Sequence, residues 1–355
     1  MSDNQDRSTE LVEQVRAALA AGTRLAIQGG GSKSFYGRAV EGEPVTLQGH
    51  TGIVNYEPTE LVLTARAGTP LREVESVLAD EGQMMPFDPP DFDGNATVGG
   101  AFAAGLSGPA RPWHGSARDL ILGMRLINGR GEHNRYGGEV MKNVAGYDVS
   151  RVVTGSLGTL GVITEISMKV LPRPEAECTL VLEQDPTAAT LAVENWFREG
   201  MPVTGAAMHE GRLHLRLAGS ASAVRVARER IGGEKLSDGS AWWQGLRDQT
   251  LPFFASDLPL WRISLPPSAG NLDLDGDRLF DWNGQLRWLY TATPAAELRE
   301  RASSLGGHAT LFRGGAPDAA VFHPLTPGVH TLNQRLKQAF DPDGIFNRGR
   351  MYADI

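Results

Sequence analysis

Cysteine is nearly absent: Cys178 stands alone in 355 residues, which excludes an internal disulfide and an iron–sulfur cluster held by this chain's own thiolates. Any electrons it handles need another cofactor. No apolar run approaches the ~20 residues of a membrane-spanning helix. The first ten residues are polar and acidic rather than basic and then apolar, so they do not read as a secretory signal. A cytoplasmic protein is expected. Basic blocks are missing as well: the net charge is −8, and this excludes nucleic acid as an expected partner. Neither internal repeats nor low-complexity segments stand out. Glycine, by contrast, is abundant at 43 residues, and with aliphatic residues plentiful it marks turns and close backbone contacts rather than disorder. The length predicts two domains.

The stretch ATVGGAFAAGLSG, Ala96 to Gly108, organises the first of them. Val98, Phe102 and Leu106 recur every four positions, as on the buried stripe of a helix, while Ala96, Gly100, Ala104 and Gly108 leave the opposite stripe bare, with Gly99 and Ala103 beside it. Each interior glycine costs a helix about 0.5–1 kcal/mol relative to alanine. Either another backbone packs tightly there, or a flat ligand lies along the main chain and uses the N–H groups of the helix start.

Before that stretch, Thr9 to Ala21 reads as an amphipathic helix, and the strand Arg24 to Gln28 runs into GGGSKS: Gly29, Gly30, Gly31, Ser32, Lys33 and Ser34. Consecutive N–H groups in such a loop can cradle an anion, and a plain flexible turn is the alternative. Val45 to Gln48, Ile53 to Tyr56 and Leu61 to Ala65 read as strands, Leu71 to Gly82 as a helix, and the proline-broken Gln83 to Phe92 as an extended lead-in. After it, Arg111, Trp113 and His114 share a loop, and Leu120 to Ile127 with Glu132 to Tyr136 reads as a hairpin. GSLGTLGVITEI then places Gly155, Gly158 and Gly161 before the strand Val162 to Val170; the turn brings bare backbone against a ligand or makes a tight connection. Pro172 and Pro174 mark a domain boundary. The order βαββα over Glu177 to Ile231 predicts a ferredoxin-like start to the second half. Trp242 to Gln249, Leu260 to Pro266 and Leu286 to Tyr290 read as further strands of a mixed sheet, Ala295 to Leu305 and Val329 to Phe340 as helices, and DPDGIFNRGRMY as a polar tail.

Taken together, GGGSKS, ATVGGAFAAGLSG, GSLGTLGVITE and DPDGIFNRGRM resemble the FAD-binding domain of the p-cresol methylhydroxylase and vanillyl-alcohol oxidase type. Over the whole chain, IQGGGSKSFYGR, GEVMKNVAGYDVSRV, LWRISLP and FNRGRMY resemble the FAD-binding E subunits of glycolate oxidase. The resemblance implies an α+β architecture: a two-part FAD-binding domain over residues 1–174, an α+β, ferredoxin-like cap over 175–340 and a tail over 341–355. It implies that the first loop holds the pyrophosphate, that Thr97, Val98, Gly99, Gly100, Ala104, Ser107 and Gly108 run along pyrophosphate, ribityl and ring, and that Gly155, Ser156, Gly158, Gly161, Val162 and Ile163 close over the adenine. It also implies a glycolate dehydrogenase complex with a larger catalytic flavoprotein and an iron–sulfur subunit, cytoplasmic or peripheral on the inner face of the membrane.

Two departures from the wider family shape the expectation. The first loop has no His and Cys178 lies beyond the FAD-binding domain, so the FAD should be non-covalent. The HxGDGNxH and EHGxG segments of larger 2-hydroxy-acid dehydrogenases are also missing; only HEGRLH, His209 to His214, stands in the cap, and no metal site is expected. Arg111 as a cation, with His114, Tyr147 and His209 as candidate bases, are what remains for chemistry on a small 2-hydroxy acid. A self-sufficient single-chain oxidase and a structural subunit with a vestigial pocket are the competing readings.

Overall fold

The amphipathic stripe Leu11, Val15 and Ala18 seats the helix Ser8–Ala21 on the first core, and Gly22 ends it in the left-handed region at φ 65°. The computed structural model describes residues 4–92, 94–138, 148–316 and 319–355. Strands Leu25–Gln28 and Glu43–Thr46 form a parallel pair. Beside it lies a five-stranded antiparallel sheet in the order Ile53–Glu57, Val62–Arg66, Val162–Lys169, Ile121–Ile127, His133–Gly137. Helices Leu71–Asp80 and Val98–Ala104 pack their apolar faces into the core shared with this sheet. This is the α+β, two-part organisation expected.

The glycine-rich segment departs from expectation in one respect. Its helix covers only Val98–Ala104, because Gly105 adopts φ 63° and its N–H closes on the Ala101 carbonyl. Leu106 and Gly108 therefore leave the helix. They turn toward the cap, where Leu106 joins a second core.

The cap is an eight-stranded sheet in the order Glu234–Lys235, Ala176–Glu183, Arg212–Gly219, Val203–His209, Asp277–Asp281, Leu286–Tyr290, Leu260–Ser264, His308–Arg313. The βαββα start is as expected, with helices Pro186–Arg198 and Ala221–Ile231 in their places. The sheet is antiparallel throughout rather than mixed. Trp242 to Gln249 is not a strand: Trp242 to Asp248 lie on the helix Gly239–Asp248, which buries Trp243 and Leu246 at a helical spacing of three, and Gln249 ends it at φ 57°. After the helix Pro327–Phe340 the chain returns to the first half: Leu25 and Phe346 pair as an isolated parallel bridge, and Phe346 is fully buried in the first core.

Candidate functional site

The strand Leu25–Gln28, the helix Val98–Ala104 and the turn before the strand Val162–Lys169 bring the three glycine segments to one cleft of about 290 Å³. Gly29 to Ser34 form its first wall. Gly31 takes φ 82°, and the loop tightens where the Ser34 N–H donates to the Gly31 carbonyl at 3.0 Å and the Tyr36 N–H to the Lys33 carbonyl at 3.0 Å. Thr97, Gly99, Gly100 and Ala104 form the second wall, and Gly158, Gly161 and Ile163 the third.

The glycines of the helix have different reasons to be there. A Cβ on Gly99 would lie 2.6 Å from Ala67 Cβ, so Gly99 answers to close packing. A Cβ on Gly100 would meet only Thr97 Oγ1, at 3.1 Å, and its bare face belongs to the cleft. Close packing, one of the two alternatives left open by the sequence, is thus realised at Gly99, while Gly100, one residue on, leaves a bare face to the cleft. The N–H groups at the helix start are not free for a ligand, contrary to expectation: Val98 donates to the Thr69 carbonyl, Gly99 to the Ala67 carbonyl and Gly100 to Thr97 Oγ1.

Other expected contact residues lie outside the cleft wall. Val98 and Val162 are fully buried in the first core. Ser107 Oγ accepts from the Ala117 N–H at 3.1 Å, and the Gly108 carbonyl accepts from Trp282 Nε1 at 2.9 Å. Gly155, at φ 87°, donates its N–H to the Phe102 carbonyl, while Ser156 Oγ is buried with no hydrogen-bond partner among the described residues. Gly155 and the neighbouring bond from Leu157 N–H to the Ala103 carbonyl hook the third segment onto the end of the glycine-rich helix.

Two cleft residues come from the tail. Asn347 accepts from the Ile27 N–H at 2.7 Å and donates to the Leu157 carbonyl at 2.7 Å, clamping the first and third walls together. Arg350 donates to the carbonyls of Arg38, Lys33 and Ser34, holding the first loop from outside. Their only signal in the sequence is the FNRGRM motif itself.

The candidates for chemistry are dispersed. Arg111 and His114 lie on a short helix, Arg111–His114, rather than a loop. The Arg111 guanidinium stacks 4.4 Å over the Trp282 ring. His114 has a buried Nδ1 without a partner among the described residues, and burial pushes its pKa down, so it is neutral near pH 7. His209 sits across the cap, 3.4 Å from Asp277, and HEGRLH is a hairpin turned by Glu210 and Gly211 with positive φ. Tyr147 lies outside the described residues. A larger groove of about 640 Å³ on the cap has no glycine loop, and Arg287 there is committed to the carbonyls of Ala269, Gly270 and Gly284.

The cleft fits a dinucleotide such as FAD: it has a glycine loop carrying Lys33, a bare helix face at Gly100, and walls held by the tail. Residues 6–137 match the family described as "FAD binding domain". The chain is 49% identical over 350 residues, 99% of each chain, to glycolate oxidase subunit GlcE of Escherichia coli (strain K12). It is 32% identical over 142 residues, 40% of this chain and 30% of the relative, to glycolate oxidase subunit GlcD of Bacillus subtilis (strain 168). Among solved structures, an alkyldihydroxyacetonephosphate synthase superposes with a TM-score of 0.69 at 15% identity, covering 97% of this chain and 75% of that one, and shows the same fold. The chain thus has a p-cresol methylhydroxylase-type FAD-binding domain and belongs to the glycolate oxidase subunit GlcE family of FAD-dependent oxidoreductases.

Proposed function

We propose that this chain is the smaller FAD-carrying subunit of a complex that oxidises glycolate to glyoxylate, working with a related larger flavoprotein and an iron–sulfur subunit. The observation that carries this reading is the glycine-lined cleft with its bare helix face at Gly100, in a chain alike to a glycolate oxidase subunit along its whole length. Bound FAD supplies two-electron oxidation of the substrate carbon or relay of electrons to a partner. The first loop and Lys33 hold the pyrophosphate, Gly100 and Ala104 leave room along the helix, and Asn347 and Arg350 keep the loops from spreading.

The FAD is non-covalent in this reading, since the described residues of the cleft include neither His nor Cys, and Cys178 is buried in a cap strand. The likeness of 142 residues of this chain to a second, longer glycolate oxidase subunit supports a flavoprotein partner of common descent. The lone cysteine makes an iron–sulfur partner necessary if electrons are to leave by that route. Among the described residues no helix is long and apolar enough to cross a membrane.

Acid precipitation of the purified chain tests the cofactor. Yellow colour released to the supernatant with the spectrum of FAD is expected, and colour kept in the pellet overturns the non-covalent assignment. A colourless protein that does not take up added FAD would favour the vestigial pocket. Glycolate-dependent dye reduction by the three co-expressed subunits tests the activity.

A further inference from the structure

The cap repeats an order of elements without repeating a sequence. Its first unit runs strand, helix, strand, strand, helix, strand: Ala176–Glu183, Pro186–Arg198, Val203–His209, Arg212–Gly219, Ala221–Ile231, Glu234–Lys235. The second has the strands Leu260–Ser264, Asp277–Asp281 and Leu286–Tyr290, the α-helix Ala295–Ser304 and the strand His308–Arg313, which is the same order without its first helix. In each unit the strands lie side by side as fourth, first, third, second, and the two second strands meet antiparallel at Met208 and Phe280. An approximate twofold axis at that joint therefore relates the units.

The repeat says what belongs on each face. Leu213 opposes Met208, Met208 opposes Phe280 and Phe280 opposes Arg287, so this row of side chains stands on one face of the sheet across the joint. On that face Ala189 and Val193 seat the helix Pro186–Arg198, Val224 and Ala227 seat Ala221–Ile231, and Leu298 and Ala302 seat Ala295–Ser304. The fourth place has no helix of this chain among the described residues. Parallel strands need a crossover of about a dozen residues, usually a helix, and residues 265–276 join Leu260–Ser264 to the parallel Asp277–Asp281 as a loop. Leu272 and Leu274 of the loop close the core of their own unit. Between the loop and the helix Pro186–Arg198 remains the groove of about 640 Å³. Ala206, Met208 and Phe280 line its floor, Pro186, Thr190 and Glu194 recur every four residues along its helical wall, and residues 267–271 make the other wall. Leu191 stands at the rim, 57% exposed. The groove thus occupies the position that the twofold gives to a counterpart of Pro186–Arg198.

We infer that this groove receives one amphipathic helix from another subunit of the complex, antiparallel to Pro186–Arg198, which completes the second unit. The inference rests on the reading of the chain as one subunit of a heteromeric enzyme and names the surface through which it assembles. The occupant's chemistry follows from the walls. A helix as long as its counterpart, 13 residues, spans about 20 Å. Its apolar stripe meets the floor. Asp185 and Glu194 on the helical wall call for basic residues on the near flank, and an antiparallel helix brings its C-terminal turn, where basic residues are favoured, beside Asp185. Arg278 on the far side calls for a carboxylate on the other flank.

The test uses the full chain, affinity-tagged and co-expressed with the larger flavoprotein and the iron–sulfur subunit, with a photo-crosslinking residue at Leu191 or, as control, at the exposed Val226 on another cap helix. Irradiation is expected to join position 191, but not 226, to another subunit, within a segment whose apolar residues recur every three or four positions. Gly270→Trp, placed where an added Cβ meets nothing within 4 Å, and Glu194→Arg should each lower the co-purified partner about tenfold or more. The isolated variants should keep the melting temperature and FAD content of the parent chain; if either does not, the crosslink decides. No crosslink from position 191, a crosslink to a second copy of this chain, or full partner retention by both folded variants overturns the inference. If the variants assemble fully and the complex oxidises glycolate, the groove falls and the proposed function stands. If the parent chain retains neither subunit, the proposed complex falls and the groove with it.

Discussion

A valine at Gly100 and a valine at Gly99 are one position apart and should have different consequences. At Gly100 the new side chain projects toward the cleft, so Gly100→Val is expected to purify folded but with most of its FAD absorbance lost. At Gly99 the first added carbon already collides with Ala67, so Gly99→Val should lower the melting temperature first and lose flavin as a result, by the 1–3 kcal/mol typical of overpacking. The ratio of 450 to 280 nm absorbance, read beside a melting curve, separates the two; full FAD retention in Gly100→Val would place the cofactor elsewhere. Asp281 makes a second prediction at this scale. Burial raises its pKa from 3.8 to about 7, opposed by the hydrogen bond it accepts from the Trp282 amide. The unfolded chain releases that proton near 3.8, so between that value and about 7 the native state holds more protons. Its contribution to stability therefore falls as pH rises through that window. Asp281→Asn, uncharged at every pH and still able to accept from Trp282, should flatten the decline. Melting curves at about pH 5 and pH 8 check this, and parallel pH profiles for the two proteins would show that Asp281 is not held neutral.

Elements far apart in sequence hold the cleft, and the buried pair at the end of the last helix shows how. Lys337 Nζ donates to Asp341 Oδ2, to the Thr159 carbonyl and to the Phe346 carbonyl, at 2.7–2.8 Å, while Asp341 accepts the N–H groups of Ile345 and Phe346. One ammonium thus joins the helix Pro327–Phe340, the third glycine turn and the tail that carries Asn347. Lys337→Met removes the cation and leaves the Asp341 carboxylate buried. The expected loss is about 3–5 kcal/mol in denaturant unfolding, with weaker FAD binding because Asn347 no longer holds the first and third walls. A loss below about 1 kcal/mol would mean the tail is anchored otherwise. This pattern marks the limit of what the sequence discloses. Glycine segments, the βαββα order and the hairpin at Ile121 to Gly137 are local signals, written in spacings of two to four residues, and they are legible. The contact of Asn347 with Ile27 spans 320 positions, and only the whole-chain resemblance pointed at that motif. Trp242 to Gln249 misled because a short apolar run reads alike as strand or helix, and its burial at Trp243 and Leu246 is decided by the sheet beneath it. The premature end of the glycine-rich helix was legible in principle, since Gly105 offers the left-handed conformation that stops a helix.

At the scale of the molecule, the two halves share a core. Tyr36, Ala104, Leu106 and Leu157 from the first half are buried with Trp243, Leu246, Phe254, Trp288 and Phe312 of the cap. The ion pair between Arg216 and Asp88 at 3.0 Å and the bond from Trp282 Nε1 to the Gly108 carbonyl cross the same boundary. Opening the halves as a hinge would expose this aromatic interior to water. Electron flow follows a comparable constraint. Oxidising a 2-hydroxy acid requires a cation, a base and the flavin set together. Of the groups first considered, Arg111 is stacked on Trp282, His114 is buried beside the Arg216–Asp88 pair, and His209 lies across the cap. With one cysteine the chain has no thiolate cluster to receive electrons. The flavin-loaded chain alone is therefore not expected to oxidise glycolate catalytically; turnover should appear when the larger flavoprotein and the iron–sulfur subunit are added. Anaerobic mixing with glycolate, followed at 450 nm and then with an artificial dye acceptor, checks this. Rapid bleaching and repeated dye reduction by the isolated chain would establish a complete site within it. If both vanished in His114→Ala, the self-sufficient oxidase would be the right reading, with His114 as its base.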